Sequence, residues 1–303
     1  MRVRVGTADG LLVLHGNGAR EQDLAGHRVG PVDDGWAIVD GETVAYQMNG
    51  GWGQALTVRA PEPSLGIHGA MVARGEEALV GWGGSLVRVF KKQRFEPIEG
   101  FEAVPGRDQW HAVGSRKPYV RSLTATADDV LLANVHVGGI PRSTDGGATW
   151  EPTIDVDADV HQVRAHPDRP ELVLAAAAVG LCRSDDAGAT WTVHTDGLHA
   201  SYCRAVATAG DMMFVSASTG PFTEEAAVYR REIDGDGPLE RCTDGLPEWQ
   251  PHNIDTACLD TDGSHVAFGG ADGVVYGSED AGRTWRVLAD DLPPVSALTI
   301  DRA

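Results

Sequence analysis

Short apolar segments follow one another along most of the chain, separated by turns rich in glycine, aspartate and proline. Segments of this length, bounded by turn residues, are typical of β-strands. From about residue 120 onward they group into units of four, which we name A to D. One unit comprises Val160–Ala165, Leu172–Ala178, Leu181–Ser184 and Thr190–His194. The pattern therefore predicts an all-β protein built from repeated four-stranded units.

Further units repeat this order on both sides of the first. The three complete copies are Val120–Thr126, Val130–Val137, Ile140–Ser143 and Thr149–Pro152; Tyr202–Thr208, Met212–Ser218, Ala226–Arg231 and Leu239–Cys242; and Asn253–Leu259, His265–Gly269, Val274–Gly277 and Thr284–Leu288. Weaker copies lie at Trp36–Val58 and Met71–Phe101. A repeat of about 43 residues is in the range of a propeller blade.

One motif, S-x-D-x-G-x-T-W, marks the turn between strands C and D and is called the box below. Asp and Ser side chains bond backbone amides in a tight turn, Gly supplies a positive φ, and Thr-Trp begins the returning strand. We predict a structural role for the residues Ser143, Asp145, Gly147, Thr149, Trp150, Ser184, Asp186, Gly188, Thr190, Trp191, Ser278, Asp280, Gly282, Thr284 and Trp285. The first two boxes begin 41 residues apart and the last two 94 apart, which is twice 47. A degenerate copy is therefore expected near residue 231, where Ala226–Cys242 has the strands without the box.

The three boxes resemble the Asp-box, or BNR, repeats of sialidases, sortilin-type receptors and photosystem II assembly-factor-like propellers. The resemblance covers the chain from about residue 120 to its C-terminus. It implies the blade hairpin of a β-propeller. It implies little about chemistry, because this architecture hosts many functions.

The two ends of the chain complement each other. Met1–Gly10 resembles a B strand that lacks its A strand, and Val295–Asp301 is a spare strand of the A type. Pairing the C-terminal strand into the N-terminal blade would close a ring without exposed sheet edges. We predict one domain, residues 1–303, folded as a seven-bladed propeller, with six blades as the alternative.

The amino-acid composition disfavours some classes of binding partner and some cellular locations. The 25 basic and 44 acidic residues give a net charge of −19, which disfavours nucleic acid. No apolar run is long enough to span a membrane, and no export signal is visible, so we expect a cytoplasmic protein. The four cysteines have no CxxC spacing, which predicts free thiols.

The predicted strand order sorts the polar residues by face. In a propeller, the D-to-A and B-to-C loops open around the axis on one side, here called the mouth face, and the boxes lie on the other side, the box face. Most histidines fall on the predicted mouth face. The candidate ligand-binding residues there are Trp110, His111, Arg121, His136, His161, Tyr202, Arg204, Trp249 and His252.

Three kinds of chemistry suit these residues. Arginines could clamp a small anionic ligand or a glycan, with Trp110 and Trp249 as stacking platforms. Carboxylates from the set Asp159, Glu224 and Asp255 could act as acid and base in a hydrolase or lyase. A divalent metal could bind His111, His136 and His161, although no short-spaced ligand motif supports it.

The resemblance to sialidases would imply three arginines, a Tyr-Glu pair and an Asp acid. Arg121, Arg204 and Tyr202 supply fragments of this set, but a third arginine and the family's early Arg-Ile-Pro segment are missing. Our first hypothesis is therefore binding of a small polar, anionic or carbohydrate ligand, or of a partner, at the axial mouth, without assured catalysis. The alternative is a carbohydrate-active hydrolase or lyase on the same face, and the third is a protein-assembly scaffold. The sequence does not identify the ligand or the oligomeric state.

Overall fold

The structure, a computed structural model that describes residues 1–57, 70–155 and 157–301, is built almost entirely from β-strands. The strands of the first three blades are β1 (Arg2–Thr7), β2 (Gly10–His15), β3 (Arg20–Asp23), β4 (Val29–Asp33), β5 (Trp36–Val39), β6 (Thr43–Met48), β7 (Gly51–Thr57), β8 (Met71–Arg74), β9 (Glu77–Trp82), β10 (Ser85–Phe90) and β11 (Arg94–Pro97). A one-turn helix, α1 (Glu99–Glu102), and a 3-10 turn (Arg107–Gln109) lead to the fourth blade.

The remaining strands form blades four to seven and close the ring. They are β12 (Val120–Ala125), β13 (Leu131–Val135), β14 (Pro141–Ser143), β15 (Glu151–Pro152), β16 (Val160–Ala165), β17 (Val173–Ala177), β18 (Gly180–Ser184), β19 (Thr192–His194), β20 (Tyr202–Ala209), β21 (Met212–Ser218), β22 (Ala226–Glu232), β23 (Glu240–Arg241), β24 (Leu259–Thr261), β25 (Val266–Gly269), β26 (Val275–Ser278), β27 (Arg286–Ala289) and β28 (Val295–Ile300). Within the described ranges, no helix is long and apolar enough to cross a membrane.

These strands form seven four-stranded antiparallel sheets, so the protein is a seven-bladed β-propeller and the six-bladed alternative is wrong. The first sheet has the order β28-β1-β2-β3, and β28 is its inner strand. Its register places Val3 opposite Ile300 and Val5 opposite Leu298. The predicted pairing of the C-terminal strand into the N-terminal blade is therefore confirmed.

The core lies between neighbouring blades. All residues of β13 and β17 are buried, because each blade packs against a neighbour on both faces. This explains why the second strand of each unit reads as a continuous apolar run instead of an alternating one. The inner strands line the central channel, and their first residues meet at the mouth face.

The second blade begins with a strand that the sequence did not predict. β4, the inner strand of the second blade, was not predicted, because Gly30 and Pro31 interrupt its pattern at a register shift between Val29 and Val32. Val58, the predicted end of the second unit, lies outside the described residues. The unpredicted strand β4 lies in an N-terminal blade, where no box marks the repeat.

The inner strand of the seventh blade also begins later than predicted. Instead of spanning Asn253–Leu259, β24 starts at Leu259. The preceding residues form a turn in which the Cys258 amide donates to the Asp255 carbonyl at 2.9 Å and Ala257 adopts a φ of 62°. This turn directs the Asp255 side chain into the channel mouth, where two arginines bind it.

The same hydrogen bonds recur in all three boxes. In the first, the Ser143 hydroxyl donates to Asp145 at 2.8 Å and accepts from the Gly147 amide at 2.9 Å. The Thr149 amide and hydroxyl donate to the two Asp145 oxygens at 2.9 and 2.6 Å. The second and third boxes repeat these four bonds between 2.7 and 2.9 Å. Trp150 is buried, and its ring lies edge-on to Phe101 at 5.0 Å.

The glycine of the box is needed for space as well as for its φ. In the second box, Gly188 has a φ of 81°, and a Cβ there would lie 2.1 Å from Leu132 of the preceding blade. In the third, a Cβ on Gly282 would lie 2.8 Å from Phe214 of the sixth blade. The boxes thus fix how closely adjacent blades approach.

The stability of the protein at acidic pH should depend on Asp145 of the first box. Hydrogen bonds from the Thr149 hydroxyl, then the Thr149 amide and the Ser143 hydroxyl, lower the pKa of Asp145 from 3.8 to about 2. Because this pKa is depressed in the folded state, ionised Asp145 stabilises the fold above about pH 4, and the contribution is lost as the pH falls towards 2. We expect Asp145→Asn to lower the melting temperature at pH 6, with the difference from wild type shrinking between pH 4 and pH 2. Asp290→Asn, at an exposed position outside the boxes, serves as the control; a difference for Asp145→Asn that is independent of pH would contradict the prediction.

Candidate functional site

Polar side chains from four consecutive blades converge at the mouth of the channel. We call them the mouth cluster, and they are Arg121, His136, Asp159, His161, Tyr202, Arg204 and Asp255. Each lies at the start of an inner strand, just before one, or in the loop after the second strand of a blade. The structure thus brings together most of the residues that the sequence placed on this face.

Asp255 joins two arginines across the channel. Its Oδ1 lies 3.1 Å from Arg121 Nη2, and its Oδ2 lies 2.9 Å from Arg204 Nη1. Arg121 Nε also donates to the Thr256 hydroxyl at 3.1 Å, and the Thr256 amide donates to Asp255 at 2.8 Å. Since Arg121 belongs to blade four and Asp255 to blade seven, the bridge spans the channel opening.

The electrostatics of this bridge favour an ionised carboxylate. Burial alone would raise the pKa of Asp255, but Arg121 and Arg204 outweigh it and hold the pKa below its usual value. The two guanidinium groups are positively charged, and Asp255 supplies the carboxylate that pairs with them from within the protein. A ligand carboxylate would have to compete with Asp255 for both guanidinium groups.

The second part of the mouth cluster contains two histidines and a carboxylate. Asp159 Oδ1 lies 3.4 Å from His136 Nε2 and 3.2 Å from His161 Nε2. His161 Nδ1 lies 2.5 Å from the Cys203 carbonyl oxygen, and the His161 side chain is fully buried. The imidazole of His161 packs on the ring of Tyr202, with 4.8 Å between centroids.

The charges around this group shift two pKa values. Burial, followed by the positive charge of Arg121, lowers the pKa of His136 to about 4. Burial would raise the pKa of Asp159, but the neighbouring His161 imidazole outweighs it and holds the pKa below its usual value. At neutral pH His136 is therefore a neutral imidazole and Asp159 is an anion.

Two predicted stacking platforms are not free to bind a ligand. Trp110 is only 4 % exposed, and its ring packs against Phe101 at 5.3 Å and beneath the Arg107 guanidinium at 4.8 Å. Trp249 is half-buried between His199, 4.6 Å away, and Arg241, 3.8 Å away. Both tryptophans serve packing, because the loops that carry them fold back onto the blades.

His111 also lies apart from the histidines with which the sequence grouped it. It is exposed, and its Nδ1 contacts the Gln109 carbonyl at 3.2 Å. The cluster of potential metal ligands among the described residues contains Asp159 in its place. The expectation that His111 is the third ligand is therefore corrected, since its strand-like pairing with Val137 directs it to solvent.

A recess of about 460 Å³ opens beside the mouth cluster. Arg204 and Asp255 line it, together with Glu224 and His252. Phe222 stands on the rim with its side chain 100 % exposed. Strand order places Phe222 on the mouth face, in the loop Ser216–Glu225 between the second and third strands of its unit, although it is not among the candidate ligand-binding residues named from the sequence.

A larger cavity lies at the other end of the channel. It has a volume of about 1120 Å³ and is lined by the later halves of the inner strands and by turns of the box face. Its waist is apolar, with Leu123, Val163 and Leu298. Arg164 pairs with Asp260 at 2.6 Å and Arg4 with Asp301 at 2.6 Å, whereas Asp33 accepts a hydrogen bond from the Ala73 amide at 2.8 Å. We place the candidate site at the mouth, where two histidines, two arginines and two carboxylates converge from four blades.

Comparisons with known proteins identify the architecture. No protein-family model and no curated protein sequence matches the chain. The solved structure of an ancestral GH74 enzyme has a TM-score of 0.62 at 12 % identity, covering 99 % of this chain and 40 % of that one. A GH74 xyloglucanase from Xanthomonas campestris has a TM-score of 0.60 at 15 % identity, covering 95 % and 47 %. YCF48 bound to D1 peptide has a TM-score of 0.58 at 12 % identity, covering 95 % and 83 %.

These similarities show that the chain shares the β-propeller fold with these structures. The chain spans less than half the length of the two GH74 enzymes. At such low identities the comparisons show a shared fold and no shared site.

Proposed function

We propose that this propeller binds a small carbohydrate in the recess beside the mouth cluster. The observation that carries the proposal is the recess itself, in which the Arg204–Asp255 ion pair and the exposed ring of Phe222 face the same space of about 460 Å³. This volume is in the range of small-molecule sites. An aromatic face beside paired donors and acceptors suits a ligand with hydroxyl groups on an apolar ring.

The charge balance of the recess favours a neutral sugar over an acidic one. The positive charges of Arg121 and Arg204 are met by Asp255. Glu224 adds a negative charge to the lining of the recess. A uronic acid would have to displace Asp255 or approach Glu224, whereas neutral hydroxyl groups can bond both members of an ion pair without breaking it.

Binding is favoured over hydrolysis by the state of the carboxylates. A glycosidase needs one carboxylic acid with a raised pKa to protonate the leaving group. The pKa values of Asp159 and Asp255 are both lowered, so both are ionised at neutral pH. A hydrolase or lyase is therefore the second candidate function, and a scaffold for a protein partner is the third. Among the proteins of similar fold, a xyloglucanase and a peptide-bound YCF48 correspond to these two candidates.

The three boxes fit the same proposal. We assign them as Asp-box repeats on the strength of the recurring Ser, Asp and Thr hydrogen bonds, with a purely structural role on the box face. We also propose that the remaining loops of the mouth face contribute to the binding surface. We further propose that the protein is cytoplasmic.

A ligand screen tests the proposal. Neutral mono- and oligosaccharides and the corresponding uronic acids are titrated by calorimetry in the presence of EDTA. We expect a neutral sugar to bind, and Phe222→Ala to weaken it at least tenfold, because the substitution removes the ring at the rim. Phe95→Ala, at a half-exposed phenylalanine of an outer strand, should bind as wild type does.

Three results would contradict it. A preference for uronic acids would show that Asp255 yields the arginines to a ligand carboxylate. Unchanged affinity of Phe222→Ala would remove the recess from the site. Release of reducing ends from a bound oligosaccharide would establish the hydrolase in its place.

A further inference from the structure

We propose that His136, Asp159 and His161 form a binding site for a divalent transition-metal ion, with Zn²⁺ the best match. This inference is separate from the proposed sugar binding and does not depend on it. It rests on the spacing of three donor atoms, on the orientation of a buried imidazole, and on polar atoms that have no partner.

The spacing of the donors fits a tetrahedral ion. Zinc binds histidine nitrogen and carboxylate oxygen at about 2.0–2.2 Å, so two ligands of one tetrahedral ion lie roughly 3.3 Å apart. Asp159 Oδ1 lies 3.4 Å from His136 Nε2 and 3.2 Å from His161 Nε2. All three donor atoms lie within 4.8 Å of one another.

The orientation of His161 is fixed by the main chain. A carbonyl oxygen can only accept, so the 2.5 Å contact with Cys203 requires a proton on His161 Nδ1. In the neutral ring, Nε2 then presents a lone pair towards Asp159 Oδ1. A metal-binding histidine commonly has this arrangement, in which the other ring nitrogen donates to a carbonyl and sets the tautomer.

Two polar atoms, one on His161 and one on Asp159, face each other without a hydrogen bond. His161 Nε2 and Asp159 Oδ1 are both buried atoms without a hydrogen-bond partner among the described residues, although they lie near each other. Buried polar atoms are almost always paired, because an unpaired one loses its hydrogen bonds to water without replacement. A cation between the lone pair and the carboxylate would satisfy both atoms at once.

The donor set also selects the ion. Two imidazoles and one carboxylate suit Zn²⁺ and its neighbours in the first transition row, whereas Mg²⁺ and Ca²⁺ prefer oxygen ligands. Three protein ligands leave a fourth position for water or another small ligand. The Asp159 side chain is 26 % exposed, so an ion can reach the site from the mouth.

Calorimetric titration tests the inference. Protein freed of metal with EDTA and then dialysed is titrated with ZnCl₂, and separately with MgCl₂, without any sugar. We expect one Zn²⁺ per chain and no saturable Mg²⁺ binding. Asp159→Asn and His136→Gln should each weaken Zn²⁺ at least 100-fold, whereas His27→Gln, in an exposed His–Asp pair on the first blades, should leave it unchanged.

The variants avoid His161, whose substitution in the core could unfold the blade. Circular dichroism and the melting temperature of the metal-free variants establish that they are folded. The absence of stoichiometric Zn²⁺ binding to wild type, or its retention in Asp159→Asn, would overturn the inference. Nitrogen-15 NMR gives a further test. If both ring nitrogens of His161 are protonated and remain so when Zn²⁺ is added, the inference is overturned too.

Discussion

Replacing Trp285 by alanine should lower the free energy of unfolding by about 3–5 kcal/mol, the range for removing a large aromatic side chain from a packed core. Trp285 is 6 % exposed and lies edge-on to Phe268, with 5.2 Å between ring centroids. Its indole N–H donates to the Gly282 carbonyl at 3.1 Å, which ties the ring to its own box. The substitution therefore removes apolar contacts of the seventh blade and a hydrogen bond of the turn together.

Urea unfolding followed by tryptophan fluorescence and circular dichroism measures this loss. Trp191→Ala is the matched control, because Trp191 has the same place in its box but is only half-buried and donates to the Thr153 hydroxyl at 3.0 Å. Its loss should be clearly smaller. Equal losses for the two variants, or a loss below about 1 kcal/mol for Trp285→Ala, would show that burial does not set the contribution of the box.

Replacing Asp260 by alanine should cost about 3 kcal/mol. Asp260 is 2 % exposed and links three blades: it binds Arg164 at 2.6 Å, the Thr299 hydroxyl at 3.0 Å and the Ile300 amide at 2.9 Å. Removing one partner of a buried ion pair typically costs 3–5 kcal/mol, and the lower end applies because Arg164 is partly exposed to the channel.

The strands in which hydrogen exchange accelerates distinguish a local effect of Asp260→Ala from a general loss of stability. Since Thr299 and Ile300 belong to β28, hydrogen exchange in Asp260→Ala should accelerate first in β28 and in β1, its partner. Asp211→Ala, which removes an exposed ion pair with Arg169, should change stability by less than about 1 kcal/mol. Faster exchange spread evenly over the blades, or no change in β28, would refute a role of Asp260 in holding the closing strand.

The fold of blades four to seven could be predicted because each unit has short, uniform strands and three of them carry a box. The box fixes where strand C ends and strand D begins, so errors in register do not accumulate. β4 in the second blade could not be predicted, since Gly30 and Pro31 break its pattern and its pairing with β5 shifts register between Val29 and Val32. Strand pairing at such places depends on tertiary contacts that local sequence does not record.

The position of the mouth residues followed from strand order, but their partners did not. His136, His161, Arg204 and Asp255 meet as expected, because inner strands begin on the same face. That Asp255 bridges two arginines depends on a turn that was predicted as a strand. The burial of Trp110 depends likewise on the path of a long loop, and loop paths are set by contacts that a single sequence does not reveal.

The pairing of β28 with β1 has a consequence for biosynthesis. As the ribosome delivers the chain, β1 is made well before its inner neighbour β28, so the first blade keeps an open hydrogen-bonding edge while the intervening blades are synthesised. Such an edge can recruit strands of other nascent chains. Final assembly must therefore wait until Ile300 has left the exit tunnel, and chaperones that shield β1 until then should raise the yield of native protein.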